Sequence, residues 1–444
     1  MTDQPPSAPR GRHRTSGPSS RTFIVVGVVV ALVAAAGVIT WLVRSGSPDR
    51  ASAATGGPTA SGSAAAAGSV AGGSDCPLPG GALTVAAAPD IAPALTTIAA
   101  QHDLTAAGCP VRIEPVDPAQ FVDGSAVASV WIPDSSIWLP RAAAAGLTVN
   151  EATASIATSP VVFALSDQAL RQLAAAGASP DVAGILATRK SAAPIRVGLP
   201  DPEKSAAAVA AVLAARSSVT GTADARAALT WGVRSSPADL PVSGDELLAR
   251  LSADPGTALP VTEQALVAYN RDNADRPAHA VYPGPGGFAL DYPVVAVTAD
   301  PAVTAAARDL ATALTSEEAR TALQAAGFRA PDQSAGPALT AANGVDPAQR
   351  ESSPVPAADA VDEAVRSVQT TNEASRMLAV MDISGSMLAM VPGANGADRI
   401  GLAKDAAARG LGLYRADSDI GLWEFSTNLT PTSDHRELIP ISSL

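Results

Sequence analysis

From residue 83 onward, short apolar runs alternate with longer alanine-rich stretches, a pattern of strands and helices in turn. Residues 83–88, 111–116, 129–132, 160–165, 195–199 and 294–297 read as strands. Residues 91–101, 204–215 and the stretch after Pro301 read as helices. Such alternation predicts an α/β fold with a mostly parallel sheet. A second unit begins near the C-terminus. There, residues 377–381 are apolar without a break, as in a strand buried on both faces, and are followed by a helical stretch at 398–413 and an apolar strand at 420–426.

Ahead of both units, residues 23–43 form 21 consecutive uncharged positions, long enough to cross a bilayer as one helix. Arg10, Arg12, Arg14 and Arg21 precede this run and only Arg44 and Arg50 closely follow it, which predicts a cytoplasmic N-terminus. A cleaved signal peptide has an apolar core of roughly 7–15 residues, so an uncleaved single-pass anchor is expected. The predicted organisation is therefore a basic cytoplasmic tail over 1–21, a transmembrane helix over 22–43, and a Gly/Ser/Ala-rich tether over 44–75. A first domain over 76–335, a linker over 336–370 and a second domain over 371–444 follow, all outside the cytoplasm at the cell membrane.

Charge narrows the function. The chain carries 42 acidic against 30 basic residues, for a net charge of −12. Its three lysines, Lys190, Lys204 and Lys404, form no basic stripe, which argues against nucleic acid as a partner. The only cysteines, Cys76 and Cys109, lie in the extracytoplasmic part, where one disulfide is the simplest expectation. Closing that loop would stabilise the fold by roughly 3–4 kcal/mol on the chain-entropy model. The histidines, His13, His102, His279 and His435, lack metal-ligand spacing, and no nucleophile-elbow, Walker or zinc motif occurs. Glu203 and Lys204 read as the start of a solvated helix. Nothing here supports an enzyme.

The most legible chemistry is at Asp382, Ser384 and Ser386, on the turn leaving the 377–381 strand. One carboxylate and two hydroxyls at alternate positions suit a hard divalent ion such as Mg²⁺, and Gly385 permits the tight backbone between the serines. With the Phe425-Ser426 close of the next strand, this Asp-x-Ser-x-Ser resembles the metal-ion-dependent adhesion site of the von Willebrand factor A domain. The resemblance implies the start of a Rossmann-like domain. Asp382, Ser384 and Ser386 would hold Mg²⁺ (or Mn²⁺) there, and a protein partner would offer an acidic side chain to the metal. That family completes its site from later loops, and the 74 residues from Thr371 on are fewer than a whole such domain, so only its N-terminal part is expected.

Over residues 76–335 the chain resembles periplasmic type II solute-binding proteins. The matches are Trp131-Ile-Pro-Asp134, Ser159-Pro-Val-Val162, Asp291-Tyr-Pro293, Ser316-Glu-Glu-Ala319 and Ala326-Gly-Phe-Arg329. This resemblance implies two lobes around a cleft, with polar groups at strand ends and helix N-termini that favour anions. Asp134, Ser135, Ser159 and Thr262 are the candidates for ligand contact, although residues of these types also serve as N-caps and turn formers. Two functions follow. One is metal-dependent adhesion or assembly at the cell surface. The alternative is a tethered receptor that hands a small solute to a transporter, with the A-type module docking it.

Overall fold

The computed structural model describes residues 76–443 apart from 79, 220–222, 238, 285–286, 349–352, 395, 412–413 and 415–416. The tail, the anchor expected over 22–43 and the tether lie outside the described residues. Among the described residues no helix is long and apolar enough to cross a membrane.

The first lobe is built from β1 (Leu83–Ala87), α1 (Ala92–Gln101), β2 (Thr105–Ala106), β3 (Cys109–Pro115), α2 (Pro118–Val122), β4 (Val130–Ile132), α3 (Leu139–Ala144) and β5 (Asn150–Thr153). The chain then crosses into a second lobe. That lobe holds β6 (Ser159–Ser166), α4 (Asp167–Ala175), α5 (Val182–Ala187), β7 (Arg196–Val197), α6 (Ala206–Ser218), α7 (Ala223–Arg234), α8 (Gly244–Ala249), β8 (Thr257–Thr262), α9 (Glu263–Asp272), β9 (Ala278–Val281) and β10 (Ala289–Leu290). It returns to the first lobe with β11 (Val294–Ala296), α10 (Pro301–Leu314) and α11 (Glu317–Ala325).

The first sheet has the order β2-β3-β1-β4-β11-β5, and β3, β1 and β4 are parallel, with Val85 level with both Ile113 and Val130. Its core is made by Leu83, Val85, Trp131 and Ile132 beneath Ile91, Leu95 and Leu310, all essentially fully buried. A disulfide between Cys76 and Cys109 fastens the segment before β1 to the start of β3. The second sheet runs β10-β6-β8-β7 with β9 also on β6, and only β7 and β8 are parallel. The expectation of a mostly parallel sheet therefore fails in this lobe, and in the first sheet it holds only for β3-β1-β4, since β2 and β11 pair antiparallel to their neighbours. The chain enters the lobe along β6, and β8, β9 and β10 all run against that direction.

Three segments join the lobes and are bonded to one another. Ile156 N–H donates to the Tyr292 carbonyl (3.2 Å), and Thr158 and Arg329 exchange backbone bonds of 2.9 Å. Helix α6 lies between the lobe cores: Ala206, Val209 and Ala210 join the first, and Ala211 the second.

The stretch expected as a linker over 336–370 is instead partly a docked helix, α12 (Ala358–Asn372). Val361, Ala364, Val365 and Val368 repeat at helical spacing and are buried. Val361 and Val365 join the first-lobe core, while Ala364 and Val368 pack on Val212 of α6. Polar contacts hold the helix as well: Glu363 pairs with Arg216, and Gln369 Nε2 donates to Glu203 Oε1 (2.6 Å).

Beyond it, β12 (Arg376–Asp382), α13 (Arg399–Leu411), β13 (Asp419–Phe425) and β14 (His435–Ser443) form a separate small sheet, parallel between β12 and β13 and antiparallel between β13 and β14. The strand expected to be fully buried, β12, is not, for Val380 is 53 % exposed. Three strands and one helix leave much of the sheet uncovered, and α13 has no buried residue.

Candidate functional site

Because β3, β1 and β4 are parallel neighbours, the loops leaving their carboxyl ends emerge along one edge, where ligands of α/β sheets bind. Each loop carries an aspartate there: Asp117 after β3, Asp90 after β1 and Asp134 after β4. Across from them the second lobe presents the N-termini of α6 and α9, which follow the parallel pair β7 and β8. The walls enclose a cavity of about 430 Å³ lined by the three aspartates, Lys204, Ser205, Asp245, Thr262 and Arg271 among others. That is within the size range of small-molecule sites, roughly 300–1,000 Å³.

The aspartates are held from behind. Trp138 Nε1–H donates to Asp134 Oδ1 (2.7 Å), and the Tyr292 hydroxyl donates to Asp90 Oδ2. Ser136 N–H donates to Asp291 Oδ1 (2.7 Å), and Tyr292 N–H donates to the Asp134 carbonyl (3.3 Å). Tyr292 is fully buried with φ at +42°, a left-handed backbone that a bulky side chain adopts only where its surroundings impose it. Here two aspartates and the interlobe crossing fix it.

Burial governs the charge. It pushes Asp90 up to about 6, against the hydrogen bond from Tyr292. Asp134 rises to about 8, through burial first and then the negative charge of Asp90, with the Trp138 hydrogen bond opposing. Asp291 is also raised by burial, against hydrogen bonds from Ser136 and Ser135. Near neutral pH the half-buried pair thus holds Asp134 protonated beside an ionised Asp90. A positive charge placed near both carboxylates would favour their ionised forms.

The four residues expected to contact ligand fall into two groups. Asp134 and Thr262 line the cavity, and Thr262 also caps α9 by accepting from Ala265 N–H (3.2 Å). Ser135 and Ser159 are fully buried behind it: Ser135 accepts from Ile137 N–H (3.4 Å) and Ser159 from Gln264 N–H (3.1 Å). These two serines shape the walls rather than face the cleft. The helix N-termini expected to favour anions stand on the second-lobe wall, whereas the first-lobe wall is acidic. Asp90, Asp117 and Tyr292 were not among the sequence candidates. The signal for the first two was their place just after apolar strands.

In the C-terminal sheet, Ser384 N–H donates to Asp382 Oδ1 (2.8 Å), and the Ser384 and Ser386 hydroxyl oxygens lie 3.0 Å apart. The bonds from Ser384 hold the Asp382 carboxyl below its usual range. Among the described residues no group of three or more His, Cys, Asp or Glu side chains is placed to hold a metal ion.

The model of a family described as bacterial extracellular solute-binding protein matches residues 83–329, more than half the chain. The chain belongs to that family. The match takes in both lobes of this solute-binding protein and the cleft between them, ends at Arg329, and places that part of the chain outside the cytoplasm. A comparison with curated proteins finds none that matches. Among solved structures, the sulfate-binding protein SubI from Mycobacterium tuberculosis is similar at 20 % identity, covering 56 % of this chain and 87 % of its own, with a TM-score of 0.45. Iron-bound HitA from Pseudomonas aeruginosa is similar at 17 % identity, covering 66 % and 99 %, with a TM-score of 0.46. A periplasmic thiamin binding protein is similar at 12 % identity, covering 66 % and 96 %, with a TM-score of 0.47.

Proposed function

We propose that this solute-binding protein captures a small solute carrying a positive charge in the interlobe cleft and delivers it to a membrane transporter. The convergence of Asp90, Asp117 and Asp134 on one wall of the cavity carries this reading. The N-termini of α6 and α9, with Lys204, suit a polar or anionic end of the same solute on the opposite wall. A thermal-shift screen of the full chain with choline, putrescine, arginine, glucose, sulfate and phosphate tests it. At saturating concentration a cation is expected to raise the melting temperature by several degrees, as about 2–3 kcal/mol of linked binding energy would. Stabilisation by sulfate or phosphate, with none by the cations, would sink the reading.

A second reading rests on the C-terminal turn, where a carboxylate and two adjacent hydroxyls offer an all-oxygen donor set on an accessible loop. Asp382, Ser384 and Ser386 would hold Mg²⁺ or Mn²⁺, which would supply a positive centre for an acidic side chain of a protein partner. In that reading the module docks or adheres while the lobes carry the solute. Equilibrium dialysis is expected to find Mn²⁺ retained by the wild-type chain and released in Asp382→Ala. Equal retention by both would remove the metal from this turn.

A further inference from the structure

A second cavity, of about 410 Å³, lies between α5, α6, α7 and α12 and shares no lining residue with the cleft. Its interior is apolar: Phe163, Val182, Leu186, Val197, Ala211 and Leu229 contribute, and a polar solute finds few partners there. Its polar groups include two arginines, a half-buried Arg216 and an exposed Arg226. Arg216 pairs with Glu363 of α12, and the nearby Asp224 pairs with Arg189 and Lys190. An apolar chamber fringed by arginines stands out in a protein of net charge −12. Gly232 adds to the room, since a Cβ there would meet Leu186 Cδ2 at 2.7 Å.

We propose that this cavity is a second ligand site, for a single-chain amphiphile with an anionic head. The apolar tail fills the space between α5 and α7 by the hydrophobic effect, and the carboxylate meets the Arg226 guanidinium. Because Ser367 and Thr371 of α12 line one side, the ligand also touches the helix that leads into the C-terminal sheet.

Calorimetric titration of the full chain with decanoate, below its micellar concentration, tests this, with decanol and decyltrimethylammonium as comparisons. Decanoate is expected to bind, decanol more weakly and the ammonium analogue not at all. Arg226→Glu, a change at an exposed position, should weaken decanoate about tenfold and leave decanol unchanged. Ala215→Phe, which fills the chamber from α6, should abolish both. If that variant does not fold, the Arg226 comparison decides alone. Absence of decanoate binding, equal binding of all three compounds, or decanoate affinity unchanged by Arg226→Glu would each overturn the proposal.

Discussion

Arg329→Met is expected to destabilise the chain by about 3–5 kcal/mol, because it strands a charge in the interior. Arg329 and Glu263 have side chains 1 % and 0 % exposed. The guanidinium donates to both carboxylate oxygens, through Nε at 2.6 Å and Nη2 at 3.0 Å, and also to the carbonyls of Asp346 (3.0 Å) and Gln333 (3.2 Å). The Tyr282 hydroxyl donates to the same Glu263 carboxylate, and burial, then the charge and contact of Glu263, push the tyrosine well above its usual range. The pair also occupies a strategic place: Glu263 opens α9 under the cleft, and Arg329 pairs with Thr158 where the chain crosses between lobes. Methionine keeps most of the volume but leaves Glu263 without its cation. Urea unfolding should show the loss, and adding Glu263→Gln to the Arg329 variant should recover part of it, since the buried charge is then gone. A single-variant loss below about 1 kcal/mol would contradict the account.

The second large effect is on pH. Burial lifts Asp134 from 3.8 in the unfolded chain to about 8 in the fold, and Asp90 from 3.8 to about 6. Between those values the folded chain keeps protons that the unfolded chain has released. These groups therefore stabilise fully below about pH 4, and that stability is lost as pH rises through 6 and then 8. The wild type is expected to lose on the order of 3 kcal/mol from this source between pH 5 and 8. Asp134→Asn, which keeps the shape and the acceptor for Trp138 but has no proton to lose, should flatten most of that slope. Unfolding free energies at pH 5, 6, 7 and 8 measure it, and parallel slopes in the two proteins would refute the role given to Asp134.

Much of the fold was readable from the pattern alone. The runs at 83–88 and 294–297 match β1 and β11 to within a residue, because buried strands of Val, Leu and Ala bounded by turns have few other solutions. The strand β8 escaped notice because Pro260 sits inside it, a residue that argues against a central strand, and β8 is nonetheless paired on both sides. The length of helix α12 was hidden by composition: its surroundings read as linker, and Val361, Ala364, Val365 and Val368 suggest only a helical turn or two of the fifteen residues that form it. In the C-terminal unit the strands were legible and their exposure was not. Burial depends on which elements cover a face, and no local pattern states that.

The site was legible in part. Asp134 was found because it follows a strand. Asp90 and Asp117 each stand beside a proline, where an aspartate commonly forms a turn, and only the parallel order β3-β1-β4 brings the three together. The Glu263–Arg329 pair spans 66 residues of sequence, a contact that no spacing rule reports.

The most direct test of the cleft is calorimetric titration of the full chain at pH 7 with the cation that stabilises it most, repeated in two buffers of different ionisation enthalpy. The account predicts binding whose heat differs between the buffers by about one released proton, and loss of that difference in Asp134→Asn. Buffer-independent heat in the wild type, or binding unchanged in Asp134→Asn, would show that the solute does not meet this pair of aspartates.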